Sequence, residues 1–511
     1  MKIVFYFSAI LFFSLCVESA KILGVFHMPS PSHYMSCSTL MKILAEKGHD
    51  VTVVSAFIEK NPPKNYKQIH LDGLQQRLKE NSINWFETTP QPLLMPIFFH
   101  AMTSSLIENT FNHSVFQEFM KTEEKFDAVI IEEFQAEAIK YVAHHFNAPL
   151  IVYSSGDAND WTNPFQGNPD TPSYQPSTYL THLTNHMSFL ERVENTFFYL
   201  YAKVFFNLIV FPSHNRLLHK YYPNSPDLTD IAYNVSLVLL NSDPSVHEPI
   251  AKVPSMKDIG GFHIRKPKPL PQDLQTVMDN AKHGIIYFSL GSNVKSKDMP
   301  KEKRDFILRK FSKLKETVIW KFEDPNLPGK PDNVIISNWL PQNDIFAHKN
   351  VKLFISHGGL FSTMEAVYHG LPVMAISVFA EQKLNGKRAE SNGFARHVPF
   401  KELTEENFSE LLDDLLKDPK YKENAKKRSQ IMREKPMQPA DAVNFWVEYV
   451  IKHKGAPHLR VASLDLNWYQ YLLIDVVLFV LAVVAAAVFA LRFLVKFLFK
   501  RKPVSEKKKK N

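Results

Sequence analysis

Phe354-Ile-Ser-His-Gly-Gly-Leu-Phe-Ser-Thr-Met-Glu-Ala-Val-Tyr-His-Gly-Leu-Pro-Val-Met-Ala-Ile-Ser-Val-Phe-Ala-Glu-Gln382 decides the fold, because it reads as one strand, turn, helix and strand built to hold an anion. Residues 351–356 are a short, mostly apolar run with the length of a buried strand. Gly358 and Gly359 let the backbone turn tightly and approach a ligand closely. Ser362-Thr-Met-Glu365 has the spacing of a capping box and predicts a helix opening at that point. Gly370 and Pro372 close the helix, and residues 373–376 begin the next strand. Free amides and the positive end of the helix dipole then fall just past a strand's carboxyl end, where open α/β sheets bind phosphates. A capping box and a glycine pair serve ordinary architecture equally well, so the loop gains meaning only from its surroundings.

Working outward, short β-branched runs alternate with helical patterns, which predicts parallel sheets assembled from βαβ units. Two halves separate, residues 21–262 and 273–435, across a joint at 263–272 that holds the extended segment Lys266-Pro-Lys-Pro-Leu-Pro-Gln272. The expected fold is α/β, two facing doubly wound Rossmann-like domains with a cleft between them. Without its apolar ends the chain is about 450 residues, too long for one core and comfortable for two.

The formal charge of +8 comes from 60 basic and 52 acidic residues, and residues 492–511 alone hold nine Lys or Arg against one Glu. The body is therefore neutral, which argues against nucleic acid as a partner. Lys2, the apolar run 3–17 and small residues at 19 and 20 predict a signal peptide over 1–20. Residues 471–491 are long enough to span a bilayer, and the basic tail 492–511 should stay cytoplasmic. That is a type I membrane protein with a lumenal or extracellular body. Asp475 is an unusual charge at the lumenal edge of the span, free to snorkel or to contact the body. Lys508 and Lys509 stand fourth and third from the carboxyl end, the spacing of a di-lysine endoplasmic reticulum retrieval signal, although a basic stop-transfer tail would look alike. Cys16 would leave with the signal, so Cys37 has no disulfide partner within the chain. Asn112, Asn234 and Asn407 head N-glycosylation sequons.

Residues 197–211 are nearly all apolar around Lys203. They are read first as a buried core helix, with a surface helix dipping into the membrane as the alternative. Residues 92–100, rich in Leu, Met and Phe, are candidates to line a pocket for an apolar ligand.

Together with Trp339-Leu-Pro-Gln342 beside it, the 354–382 stretch resembles the donor-binding signature of the UDP-glycosyltransferases, membrane-bound enzymes that glycosylate small lipophilic molecules. Ile22-Leu-Gly-Val-Phe26, Ser32-His33 and Gly48-His-Asp-Val-Thr-Val53 resemble that family's first βαβ unit, and Tyr287-Phe-Ser-Leu-Gly-Ser-Asn293 its second domain's first strand and turn. Asn444-Phe-Trp-Val-Glu-Tyr-Val450, Ala456-Pro-His-Leu-Arg460 and Trp468-Tyr-Gln-Tyr471 resemble its closing segment, with the invertebrate branch most similar and residues 60–230 matching least. The resemblance implies a GT-B arrangement, an acceptor domain at 21–262, a UDP-sugar domain at 273–435 and closing helices at 436–470 returning to the first domain. It implies residence in the endoplasmic reticulum membrane and a role in detoxification.

By the same resemblance, Trp339 stacks on uracil, Gln342 and the nearby backbone bond base and ribose, and Glu365 accepts from the ribose hydroxyls. Ser292, His357, Gly359 and Ser362 hold the diphosphate, and Glu381 and Gln382 bind the sugar. Three positions depart from the common family pattern. Phe361 stands where many members have Asn, Ser377 where Pro is usual, and Glu381 where Asp is usual. The lost Asn donor should weaken phosphate binding by about 1 to 2 kcal/mol, and the longer Glu381 leaves the sugar open.

Transfer to an alcohol or phenol needs a base for the acceptor proton and a site that stabilises departing UDP. His33, in the turn after the first strand, is the candidate base, with His27 as its competitor. A base of this kind needs an orienting carboxylate, and the strand Phe126-Asp-Ala-Val-Ile-Ile-Glu-Glu133 ends in two acids. The family's orienting Asp aligns with Glu132, while Glu133 and Asp127 stay open as substitutes. No Asp-x-Asp pair and no paired His has metal-ligand spacing, so no metal and no cofactor are expected, UDP-sugar being a co-substrate. Direct displacement should invert an α-linked donor into a β-glycoside. The expected donor is UDP-glucose, with UDP-glucuronic acid as the alternative, and a non-catalytic membrane-anchored lipophile carrier is the competing class. Partners are then the UDP-sugar, a small lipophilic acceptor and membrane lipid, with a homo-oligomer left open.

Overall fold

Ile22 to Phe26 are buried on both faces, the pattern of a parallel strand covered by helices on either side. In the computed structural model, which describes residues 19–76, Phe86 and 91–500, this is β1, Lys21–Phe26. It is followed by α1 (Pro31–Glu46), β2 (Asp50–Ser55) and β3 (Tyr66–His70). After α2 (Met95–Phe111) come β4 (Ala128–Glu132) and β5 (Leu150–Ser154). A long helix then intervenes, α3 (Phe189–Phe205), running through a π-turn at Phe206–Val210 into α4 (Phe211–Tyr221). Strands β6 (Val235–Leu240) and β7 (Met256–Asp258) complete a sheet of order β3-β2-β1-β4-β5-β6-β7, every neighbour parallel.

The second half repeats the topology. Its strands are β8 (Ile285–Ser289), β9 (Thr317–Lys321), β10 (Val334–Ser337), β11 (Val351–Ser356), β12 (Val373–Ser377) and β13 (Ala395–Pro399). They pair in the order β10-β9-β8-β11-β12-β13, again all parallel. Three of its helices matter for the site: α5 (Gln342–Phe346), α6 (Leu360–Tyr368) and α7 (Gln382–Ser391). In each sheet the strand order reverses between the first and fourth strands, and ligands of open α/β sheets bind outside the carboxyl ends at that reversal. The fold therefore nominates two places, past β1 and β4, and past β8 and β11.

After the second sheet, α8 (Pro439–Lys452) returns to the first. Val443, Val447 and Val450 join Ile22, Leu40 and Val51 in one core, and His49 contacts Asn444 at 3.2 Å. Both sheets belong to one compact body running to Arg460, and a separate unit begins at Val461. That unit contains α9 (Ile474–Leu498).

The helix at the expected span 471–491 starts at Ile474, because Leu473 adopts a left-handed conformation (φ 55°). It runs past Arg492 and Lys496, and its 25 residues make about 37 Å, more than the roughly 30 Å bilayer core. Asp475 accepts from the Val476 amide, as a carboxylate does at a helix N-terminus. Two expectations change. The predicted core helix at 197–211 is overturned. It is the middle of a 33-residue helical run, Phe189–Tyr221, whose most apolar window is only 11% buried. The second change concerns α6 and is given with the site. The predicted signal peptide at 1–20 and tail at 492–511 lie largely outside the described residues, including Lys508 and Lys509.

Candidate active site

Past β1 the chain enters α1 through Pro31, whose missing amide hydrogen suits a helix start. His33 sits in the first turn of α1, and Glu132 is the last residue of β4. At this reversal of the first sheet His33 Nδ1 meets Glu132 Oε1 at 2.5 Å. Glu132 is buried, and the His33 side chain retains 19% exposure. Burial alone would lower the imidazole's pKa, but the charge and hydrogen bond of Glu132 outweigh it and raise it above 6.5. His33 also lies edge-on to Phe134, with ring centroids 5.1 Å apart.

The sequence's alternatives separate here. Asp127 is at the opposite end of the strand, accepting from the Lys21 amide at 2.7 Å. Glu133 points to the other face and pairs with buried Lys140 at 3.0 Å, beside Glu137. His27 is buried with neither ring nitrogen hydrogen-bonded, and burial pushes its pKa down to about 4. Of the two histidines and three acids, the fold brings together only His33 and Glu132.

At the second reversal, His357 follows β11 and its ring lies between two glycines. A Cβ on Gly291 would stand 2.6 Å from its Cε1, and one on Gly359 2.5 Å from its Nε2. Burial, with Lys321 nearby, lowers the His357 pKa to about 4, so the imidazole is neutral at pH 7. Its Nδ1 is buried without a partner. Lys321 Nζ donates to Gly291 O at 2.9 Å and fixes the turn that carries the exposed Ser292.

The capping box predicted at Ser362 does not form. Helix α6 starts three residues earlier, with Gly359 rather than Ser362 as N-cap and no side-chain cap. Gly358 supplies the positive φ (+84°), where a Cβ would strike Gln382 O at 2.8 Å. Glu365 is free of a capping role and instead accepts from Gln342 Nε2 at 2.5 Å, while the same nitrogen donates to Ser362 Oγ at 3.0 Å. The surrounding protein raises the Glu365 pKa to about 7. The first amides of α6 consequently have no side-chain acceptor, which suits an anion.

Trp339 is 72% exposed in the loop after β10 and is not a core tryptophan. The loop before α7 is held by Gln382 Oε1, which accepts from the Val378 and Phe379 amides at 3.0 and 3.2 Å. With Ala380 in a left-handed conformation (φ 50°), Glu381 is presented outward. Desolvation by the surrounding protein raises the Glu381 pKa, and the nearby His33 partly opposes it. Ser377 bonds His397 at 2.9 Å, and Phe361 lies edge-on to His263.

Several residues at the site were not singled out from sequence. Asn293 Nδ2 donates to Ser30 Oγ and Ser32 Oγ at 3.2 and 3.1 Å, pinning the β8 turn to the start of α1. Phe134, Phe99, Trp161 and Tyr179 form an aromatic wall beside His33, and Phe99 lies in the predicted pocket segment 92–100. Asn293 ended the quoted Leu-Gly-Ser-Asn turn and Phe134 follows the two acids directly, so position relative to a motif was the available signal. Among the described residues no three His, Cys, Asp or Glu side chains converge as a metal site. The candidate glycosylation residues Asn112 and Asn234 are exposed, whereas Asn407 is half-buried and accepts from the Thr404 amide in a capping box.

Two parallel sheets, each reversing its strand order between its first and fourth strands, have the GT-B arrangement. Solved structures agree in fold: the calicheamicin glycosyltransferase CalG4 has a TM-score of 0.58 at 16% identity, covering 85% of this chain and 98% of that one. Spinosyn forosaminyltransferase SpnP has a TM-score of 0.57 at 14% identity, with 85% and 99% covered. Residues 21–511 match the family described as UDP-glucoronosyl and UDP-glucosyl transferase, and the chain belongs to that family. It is 36% identical to UDP-glycosyltransferase UGT5 of the insect Dactylopius coccus, over 97% of this chain and 95% of that one. Identity to mouse UDP-glucuronosyltransferase 1A7 is 30%, over 90% and 88%. The protein is a UDP-glycosyltransferase, which uses its UDP-sugar as co-substrate and needs no cofactor.

Proposed function

We propose that this enzyme transfers glucose from UDP-glucose to a hydroxyl of a small lipophilic acceptor, with inversion to a β-glycoside. The observation that carries the reading is the His33–Glu132 pair, 2.5 Å apart, at the first sheet's reversal and near Glu381 of the second. Glu132 holds His33 Nδ1–H, leaving Nε2 to take the acceptor proton. The acceptor oxygen forms its bond to the anomeric carbon as the bond to UDP breaks, and charge develops on the diphosphate. The uncapped amides of α6, His357, Ser292 and Ser362 stabilise that charge. Trp339 offers the uracil a face, Gln342 and Glu365 take the ribose, and Glu381 with the Gln382 amide takes the sugar. The aromatic wall around Phe134 suits an apolar acceptor.

The protein is read as type I, anchored in the endoplasmic reticulum membrane by α9 with its body lumenal. Residues 21–262 are read as the acceptor domain and 273–435 as the donor domain, a division supported by the first sheet's last strand ending at Asp258 and the second sheet's first strand beginning at Ile285. A panel of phenols incubated with UDP-glucose and UDP-glucuronate, read by mass spectrometry, tests donor and class together. Glucoside formation supports the reading. Glucuronides alone would replace the donor, and binding of phenols without product would make the protein a carrier. In intact microsomes protease should remove only the tail; a body digested without detergent would overturn the topology.

A further inference from the structure

Helix α7 follows Glu381 directly, and its far end is held by the other half of the chain. Beyond β6 the chain leaves the first sheet as a braced loop: Asp243 Oδ1 accepts from the Ser245 amide at 2.8 Å, and the Asp243 amide donates to His247 Nδ1 at 3.3 Å. Val246 of this loop is buried in the second sheet's core with Ala389 of α7 and Phe394. Glu248 Oε2 accepts from Arg388 Nε at 3.3 Å, and only 13% and 16% of the two side chains remain exposed. Lys387 Nζ donates to His182 O at 2.8 Å, and Asn392 Nδ2 to Val246 O at 3.4 Å. The last turn of α7 is thus bonded to the first half of the chain. Its first turn is bonded to the second, where Asn385 Nδ2 donates to Gly358 O at 3.1 Å. Between them a Cβ on Gly386 would collide with the His397 ring, so β13 presses on the middle of the helix.

We propose that Glu248 and Arg388 are positioning residues for the transfer: their ion pair fixes α7 and so sets Glu381, with the sugar it holds, against His33. The inference rests on the proposed roles of His33 as base and Glu381 as sugar ligand. Arg388 stands seven residues beyond Glu381, about 10 Å along a helix. A hydrogen-bonded helix gripped at both ends is stiff, so a tilt at Arg388 reappears at Glu381. Misplacement by about 1 Å at the reacting atoms costs on the order of 10²-fold in rate. Exposed ion pairs contribute little, but this one is largely withdrawn from water and holds its geometry. Glu381 lies near enough to His33 for each charge to act on the other, so a shift of the helix is felt at the base. The groups proposed to hold UDP lie on α6 and on the loops after β8, β10 and β11, and Lys321 and Gln342 support them. The pair should therefore act on turnover and leave UDP affinity alone.

The test measures transfer from UDP-glucose to 1-naphthol by the detergent-solubilised full chain, with UDP binding followed by calorimetry. If the wild-type enzyme forms only the glucuronide from UDP-glucuronate, the donor reading falls and the same comparisons are made with that donor. Glu248→Ala and Arg388→Ala should each lower kcat by about 10- to 100-fold, while the Kd for UDP stays within about two-fold. The double variant should be no slower than either single one, since the two residues form one unit. In a Glu381→Ala background, Glu248→Ala should have almost no further effect, because the carboxylate it positions is gone. A merely structural pair would slow both backgrounds alike, and that result overturns the proposal, as does an unchanged kcat in Glu248→Ala. Loss of UDP binding in Glu248→Ala, in Arg388→Ala and in the volume-conserving Glu248→Gln would make the pair a support of the donor half, which overturns it too. Full turnover in His33→Ala or Glu381→Ala would instead sink the reading underneath, an outcome that a normal rate in Glu248→Ala does not share.

Discussion

His33 carries a raised pKa because Glu132 favours its protonated form, yet only the neutral imidazole can accept a proton. The acid limb of kcat/KM should therefore lie above pH 6.5. Glu132→Gln removes the raising charge, so the limb should move to lower pH even as turnover falls. His33→Ala should lose about 10² to 10⁴ in turnover, and the double variant should be scarcely slower, since two members of one unit do not add. Multiplicative losses, or a limb that stays put in Glu132→Gln, would reassign the carboxylate. The sequence showed both acids but not their faces. Neighbours on a strand point to opposite sides, and only the packing of α1 on one side and Lys140 on the other separates Glu132 from Glu133. His27 and His33 were likewise equal in type, and burial divided them. Gly359 makes a second residue-scale case, legible as a turn but not as a wall. A Cβ there would stand 2.5 Å from His357 Nε2, so Gly359→Ala should abolish measurable UDP binding by calorimetry while the His33 titration followed by NMR stays in place. Retained UDP affinity would mean that the ring has room to swing away.

The strand and turn residues around α6 agree with the sequence to within a residue, because β-branched runs, Gly358 and Gly370 each dictate local geometry. The helix start does not. Ser362 and Glu365 have capping-box spacing, but Gly358 and Gly359 already reverse the chain, so the helix begins on their far side and the two polar side chains turn to Gln342 instead. This yields an opposed pair of outcomes for Ser362→Ala. Loss of an N-cap would cost about 0.5 to 2 kcal/mol of stability; loss of a ligand contact would raise the KM for UDP-sugar and leave the thermal midpoint unchanged. The second outcome is expected, and a lowered midpoint with normal KM would restore the capping role. Helix α3 misleads for a different reason. Residues 197–211 taken alone are apolar nearly all round, the mark of a buried helix, whereas the element begins at Phe189 and its other face is secured by Asn195 and Lys203. Those bonds are long-range, to Pro172, Gln175, Ser177 and Asp170, and no local pattern announces them.

Across the whole molecule the buried histidines set the response to acid. Burial lowers His27 and His247 to about 4 and His214 to about 3, each from 6.5 in the unfolded chain. A depressed folded pKa gives stability that is fully present above pH 6.5 and is lost as pH falls toward the folded value. Each such group contributes a slope of up to about 1.4 kcal/mol per pH unit below 6.5. His33 acts in the opposite sense, since its raised pKa stabilises the folded state below 6.5, and so do Glu137, Asp160 and Glu365, raised by burial to about 8, 6 and 7; the histidines outnumber them, because burial also lowers His263, His357, His369 and His397 to about 4. The urea midpoint of the detergent-solubilised protein should therefore fall continuously from pH 6.5 to 4.5. Replacing His214, which has both ring nitrogens buried and unpaired, by the uncharged Gln should flatten that fall even if it lowers the midpoint at pH 7.5, because the slope depends on the proton the unfolded chain gains and the midpoint on packing. A midpoint that holds steady down to pH 5, or an unchanged slope in His214→Gln, would show that these rings take up protons in the folded state and that acid sensitivity has another origin.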